Sequence, residues 1–458
     1  MKLKVQAKLD AGFAPMALVC REMREGTKND GQTIVIGAER NKGYTTVYKT
    51  RIYKDGTGHD EENCKFIDRI AKTLLWVSGG YKLIIAGSEV VGEYIKKTFC
   101  YGGTRDFDVR FMERVYEEKF EVVVTDLANA PEDKSSASPV GRHLDGCRIG
   151  FDAGGSDRKV SAVVDGETVY SEEVVWFPKI NSDPDYHYQG ILEAMKTAAS
   201  HMPRVDAIGV SSAGVYVDNK IMVASLFLKV SDEDFEKKVK NMYIDVAREI
   251  GENIPIEVAN DGDVTALAGA MSLNDNGILG IAMGTSEAAG YVDMDGNITG
   301  WLNELAFAPV DFNEDAMVDE WSGDYGCGVK YFSQDGVIKL APYAGIELDE
   351  NLSPAEKLKV VQNLMKEGDE RAAAIYDTIG AYFGYTIAYY CEFYDIKQVL
   401  IMGRVTSGKG GEILLERAKE VLDTEFPEIA KKVKLNIPDE KARRVGQSVA
   451  AASLPKVK

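Results

Sequence analysis

Histidine is scarce in this sequence. The 458 residues hold four, His59, His143, His187 and His201. None stands in an H-x-x-x-H or H-E-x-x-H spacing, so no histidine is assigned to a metal or to catalysis. The six cysteines, Cys20, Cys64, Cys100, Cys147, Cys327 and Cys391, form no C-x-x-C pair. The opening MKLKVQAKLDAGF lacks the apolar core of a secretory leader. A disulfide framework is therefore not expected, and a reducing cytoplasm fits. No apolar run reaches the roughly 18–20 residues that span a bilayer. Positive charge is in deficit: 54 Lys and Arg face 73 Asp and Glu, a formal net charge of −19. An acidic surface repels phosphate backbones, which argues against nucleic-acid binding by the bulk of the protein. The expectation is a soluble cytoplasmic protein without membrane or nucleic-acid partners.

What is present is 45% hydrophobic content, enough for two or three domains with ordinary cores. The polar stretch from Asn129 to Asp145, rich in Ser, Pro and Ala, reads as a linker. It sets a boundary near residue 145. Downstream, CRIGFDAGGSDRKVSAVVDGETVYSEEVV reads as short strands joined by glycine turns, and GILEAMKTAASHM as a helix. VDAIGVSSAG reads as a strand ending in a glycine loop. FEKKVKNMYIDVAREIG reads as one helix, with Val239, Met242, Ile244, Val246 and Ile250 apolar and Gly251 at its end. GILGIAMGTSEAAGYVDMDGNITG then repeats the strand–Gly–strand–turn theme. Strands alternating with helices give the α/β class, and the repeated theme suggests two similar lobes with a ligand cleft. Before residue 145 a fainter version appears: a hairpin in QTIVIGAERNKGYTTVYKTRIY, a helix in FIDRIAKTLLWV, strand–Gly–helix in KLIIAGSEVVGEYIKKTF and a closing strand in FEVVVTDL. It is either a degenerate third lobe or an unrelated accessory α/β domain. The aromatic group Tyr382, Phe383, Tyr385, Tyr389, Tyr390, Phe393 and Tyr394 reads as core or dimer packing.

Four separated segments carry chemistry. In Asp152-Ala153-Gly154-Gly155-Ser156, paired glycines let backbone amides approach a phosphate, and Asp152 would hold Mg²⁺ through water. The ordinary alternative is a hairpin turn. Gly284-Thr285-Ser286 follows a strand in the same relative place, with the same alternative. Asn260-Asp261 ends the strand IPIEV and opens a helix. There an aspartate is either a simple N-cap or a general base that takes the proton of an attacking hydroxyl. Gly403-Arg404-Val405 follows the strand QVLI. Its glycine either admits an adenine ring or is an ordinary strand–loop–helix glycine.

DAGGS, ANDGD, the GTS loop and MGRV occur in the order and approximate spacing of the ROK family (repressors, open reading frames and sugar kinases), within the actin-like ATPase superfamily. GVSSAGVYVDN resembles the family's G-x-x-x-x-G sugar-lobe loop, and RRVGQSVAAASL its last helix. The resemblance covers roughly residues 148–456. It implies two actin-like (ribonuclease H-like) lobes with a central cleft, preceded by an extra N-terminal α/β domain. The implied boundaries are 1–145 for that domain, 146–262 plus the helix 441–456 for the first lobe, and 263–440 for the second.

By the same resemblance the chain would be an ATP- and Mg²⁺-dependent sugar kinase, acting on a small-molecule hexose or hexose derivative, and a homodimer. Asp152, Gly154, Gly155 and Ser156 would form the first phosphate loop, and Gly284, Thr285 and Ser286 the second. Asp261 would be the base, with Asn260 and Glu304 binding sugar and Gly403, Arg404 and Val405 lining the nucleotide pocket. The sequence also departs from the family. Phe307 replaces the family histidine after that glutamate, Ser225 stands for an asparagine, and Val329 for a glutamate. The zinc cysteine cluster is reduced to Cys327, so no structural zinc is expected. The lost histidine and zinc cysteines motivate an alternative, a catalytically weak sugar sensor of the same fold; a third reading is an actin-like ATPase acting on another substrate.

Overall fold

Alternating β-branched residues pair early in the chain. Strands β1 (Gly31–Glu39) and β2 (Thr45–Tyr53) form an antiparallel hairpin in which Ile34 faces Thr50 and Ile36 faces Tyr48. With β3 (Lys82–Ala86) and β4 (Glu121–Thr125) they make a mixed sheet of order β2-β1-β3-β4. The computed structural model describes residues 2–134, 140–438 and 440–457, without the side chains of 440–445. Residues 135–139 of the expected linker lie outside these. The chain divides into two compact units. One holds Met1–Ser136, Ile281–Ala289 and Gly300–Ile437; the other holds Ala137–Gly280, Gly290–Thr299 and Pro438–Lys458.

The division at Ser136–Ala137 falls inside the expected linker, and the N-terminal region, with its own four-stranded sheet, groups with residues expected to form the second lobe. Side chains explain why. The helix Asp60–Ser78 carries Arg69 and Lys72, both almost fully buried, and Arg105 is buried beside them. All three converge on Asp324: Arg69 Nη1 at 2.7 Å, Lys72 Nζ at 2.8 Å and Arg105 Nη1 at 2.8 Å. Those cations hold the Asp324 carboxyl far below the usual carboxylate range, against the opposing pull of burial. The helix Glu370–Tyr390 adds hydrogen bonds from buried tyrosines. Tyr389 Oη donates to Thr73 Oγ1 at 2.8 Å, and Tyr382 Oη to Asp10 Oδ2 at 2.5 Å. The aromatic group is core, as its pattern suggested: Tyr382, Phe383, Tyr385, Tyr389 and Tyr390 are all fully buried.

The second unit is built on a five-stranded sheet of order β11-β8-β5-β6-β7. Its strands are β5 (Cys147–Ala153), β6 (Asp157–Val164), β7 (Glu167–Val175), β8 (Ala207–Ser212) and β11 (Ile256–Asn260). A short ribbon, β9 (Val215–Val217) and β10 (Lys220–Val223), lies between β8 and β11 in the chain. β5-β6-β7 are antiparallel, while β5, β8 and β11 run parallel. The N-terminal sheet does not copy this pattern, because β1 meets β3 antiparallel.

The last helix, Glu440–Ala452, lies directly on β5 and β8. Gly150 and Gly209 face each other across these strands. A Cβ on either would come within 1.9 Å of a carbonyl oxygen of that helix, Ser448 O or Ala451 O. Only glycine permits so close an approach. The run read as one helix over 235–251 is instead a π-turn, Phe235–Val239, followed by the helix Met242–Ile250. A third sheet, β13-β12-β14-β15, comprises β12 (Ile278–Met283), β13 (Glu287–Val292), β14 (Gln398–Met402) and β15 (Lys434–Asn436).

Candidate active site

Parallel strands expose their C-terminal ends on one side, where chains turn and polar groups gather. The second unit places Asp152, Ser211, Ser212, Asn260 and Asp261 there, on β5, β8 and the end of β11. Asp152 is 7% exposed, and its Oδ1 accepts the Ser211 hydroxyl at 2.9 Å. Across the β5–β6 hairpin it pairs with Lys159, whose Nζ is 3.9 Å from Asp152 Oδ2 and 2.9 Å from Asp157 Oδ1. Burial pushes the Asp152 carboxyl up to about 6. The Ser211 hydrogen bond and the Lys159 charge pull it down, while the Asp261 charge adds to the rise.

The helix Asp261–Leu273 settles which residue is the cap. Asn260 is the N-cap: its Oδ1 accepts Gly262 N at 2.7 Å, and its Nδ2 donates to Gly214 O at 2.7 Å. Both ends of the Asn260 side chain are thus engaged within the protein. Asp261 is the first helical residue, half-buried, with Gly262 N at 3.0 Å from its Oδ1. Burial raises the Asp261 carboxyl, opposed by that backbone amide and by the Lys179 charge. A carboxylate at a helix N-terminus with a raised pKa is suited to accept a proton.

The loop Gly154-Gly155-Ser156 joins β5 to β6. A Cβ on Gly154 would meet Asp157 O at 2.7 Å, and one on Gly155 would meet Lys179 Cε at 2.8 Å. Both glycines are therefore required by close protein contacts, Gly154 by the hairpin backbone and Gly155 by the Lys179 side chain. Three residues that the sequence reading did not single out belong here: Ser211, Lys159 and Lys179. The consecutive serines in the buried strand GVSSAG were the available signal for the first.

The other expected site residues lie in the first unit. Gly284 N bonds Ser286 O at 2.9 Å, closing the tight turn Gly284-Thr285-Ser286 between β12 and β13. Arg404 Nη2 donates to Thr285 Oγ1 at 2.7 Å, tying this turn to the residues after β14. Gly403 has φ +99, and a Cβ there would lie 2.3 Å from Met283 O. Packing against β12 therefore requires this glycine whatever else it admits. Val405 is buried. Glu304 is half-buried and acts electrostatically on Glu287, whose carboxyl burial pushes up to about 8. Phe307 packs 4.5 Å from Trp76 and 5.4 Å from Phe107, ring centre to ring centre. Val329 sits in the 3₁₀ turn Gly328–Lys330, and Ser225 opens the 3₁₀ turn Ser225–Phe227. Among the described residues, no helix is long and apolar enough to cross a membrane.

No curated protein matches the chain significantly. Among solved structures, a ROK family transcriptional regulator, a homologue of the E. coli MLC protein, aligns with TM-score 0.50 and 18% identity, over 68% of this chain and 79% of its own. A ROK hexokinase from Thermus thermophilus aligns with TM-score 0.49 and 18% identity, over 67% of this chain and 97% of its own. A ROK glucokinase from Streptomyces griseus, solved with glucose and AMPPNP, gives 0.47 and 18%, over 67% and 99%. At such identity the regulator's likeness bears on fold alone, and it agrees with the actin-like α/β class. The ROK family model matches residues 148–442, well over half of the sequence, and the chain belongs to the ROK family.

Proposed function

We propose that the protein is an ATP-dependent sugar kinase, transferring the γ-phosphoryl group of ATP to a hydroxyl of a hexose or hexose derivative. The observation that carries this reading is the pair Asp152 and Asp261, two carboxyls raised by burial at the ends of strands flanking β8. In the reaction the sugar oxygen bonds to the γ-phosphorus, and the bond from that phosphorus to the β–γ bridging oxygen breaks. The hydroxyl proton passes to Asp261, and ADP leaves. A base so placed contributes ~10²–10⁴-fold, and the remaining work is positioning and charge stabilisation. Mg²⁺, when bound, supplies charge neutralisation at the phosphates, with Asp152 as its water-mediated holder. The test is a coupled ADP-release assay over a panel of hexoses and hexose derivatives. Turnover on at least one sugar is expected; none on any would remove the kinase reading.

Phe307 favours a second reading, a catalytically weak sugar sensor. It stands where the family's histidine after the sugar-binding glutamate is expected, and it packs into the Trp76, Phe107 and Phe111 cluster. The regulator among the structural neighbours is consistent with that reading. Calorimetry separates the two: sugar binding without ATP binding or phosphorylation selects the sensor.

A further inference from the structure

Two lysines flank the Gly154-Gly155 loop, and they differ in how they are held. Lys159 is committed to Asp157 at 2.9 Å. Lys179 rides in the middle of the 3₁₀ turn Pro178–Ile180, which the neighbouring chain fixes in place. His187 Nε2 lies 3.0 Å from Pro178 O, Phe177 N donates to Tyr186 Oη at 2.9 Å, and Asn181 Nδ2 donates to Phe177 O at 3.0 Å. Pro178 is buried while Lys179 is exposed. The Lys179 ammonium lies against Gly155, where a side chain would otherwise stand: a Cβ built there would be 3.0 Å from Nζ. Its charge also acts on Asp261. Among the described residues, it has neither a hydrogen bond nor an ion pair.

We propose that Lys179 contacts the terminal phosphate of the bound nucleoside triphosphate. The inference rests on the kinase reading and deepens it. A lysine at a glycine loop is a rotatable point charge with three donors, suited to phosphate oxygens that move during transfer. Its charge acts on Asp261 as well as on the loop, which favours the terminal phosphate. The base must lie beside the hydroxyl that attacks the γ-phosphorus, so a cation acting on both base and loop faces the γ-phosphoryl group. A cation there stabilises the charge that spreads over the equatorial oxygens in the transition state.

The test is calorimetric binding of AMPPNP and of ADP, each with Mg²⁺, to the full chain, to Lys179→Met and to Lys179→Arg. Lys179 is exposed, so all three proteins should melt alike. The expected result is AMPPNP affinity weakened roughly ten- to a hundredfold in Lys179→Met, from loss of one charge-assisted contact. ADP affinity should change less than about twofold, and Lys179→Arg should recover most of the loss. Equal weakening of both nucleotides, or no weakening of either, would overturn the lysine assignment while leaving the kinase reading standing. A wild-type chain that binds neither nucleotide would remove both.

Discussion

Ser211 Oγ donates to Asp152 Oδ1 at 2.9 Å, joining the ends of two parallel strands whose residues stand 59 apart in the chain. This bond stabilises the ionised carboxylate that burial disfavours, and it helps hold the Asp152 pKa at about 6. If Asp152 holds Mg²⁺ only when ionised, nucleotide binding rises with pH through that value. Ser211→Ala removes the bond, so the midpoint of Mg-nucleotide affinity against pH should move upward by on the order of one unit. A titration from pH 5 to 8 checks this, and an unmoved midpoint would separate Asp152 from metal binding.

Asp324 is the shared counter-ion of Arg69, Lys72 and Arg105, all buried. Replacing it with Asn leaves these cations undercompensated, a change that typically costs about 3–5 kcal/mol. Urea unfolding of Asp324→Asn should show that loss. The carboxyl is depressed in the folded state. Its stabilisation is therefore present above the unfolded value near 4 and is lost as pH falls below it. The acid limb of wild-type stability should accordingly be steeper than that of the variant.

Glu287 follows Ser286 directly and points inward. It is 3% exposed; among the described residues neither carboxyl oxygen has a hydrogen-bond partner, nor does Tyr390 Oη, which is in its electrostatic reach. Burial and then the Glu304 charge raise its pKa to about 8. A carboxyl raised in the folded state stabilises least at high pH, so its contribution is lost as pH climbs from about 4.5 through 8. Glu287→Gln should flatten that fall, with a gain of about 3 kcal/mol at pH 7. Melting curves of both proteins between pH 5 and 8 decide it, and parallel pH profiles would contradict the assignment.

The local parts of the candidate site are legible in the sequence. Asp152 and Asp261 each stand at a strand end beside small residues, and such positions announce a turn or a cap. Hydrophobic alternation likewise made the strand beginning at Cys147 and the strand ending at Asn260 visible. What it did not reveal depends on contacts between distant segments. Ser211 looked like part of a glycine loop, because its bond to Asp152 exists only once β5 and β8 pair in parallel. Lys179 was unmarked, because nothing in its neighbours says that its ammonium reaches Gly155. The polar composition of 129–145 covers the point where the two units part, but it gives no sign that residues 69, 72 and 105 pair with Asp324, about 220 to 255 positions away in sequence.

Steady-state kinetics of Asp261→Asn tests the proposed base. On the best sugar of the panel, kcat should fall by ~10²–10⁴-fold with little change in sugar KM, because asparagine keeps the shape but cannot take the proton. An Asp261→Asn enzyme that phosphorylates that sugar at the wild-type rate would contradict it.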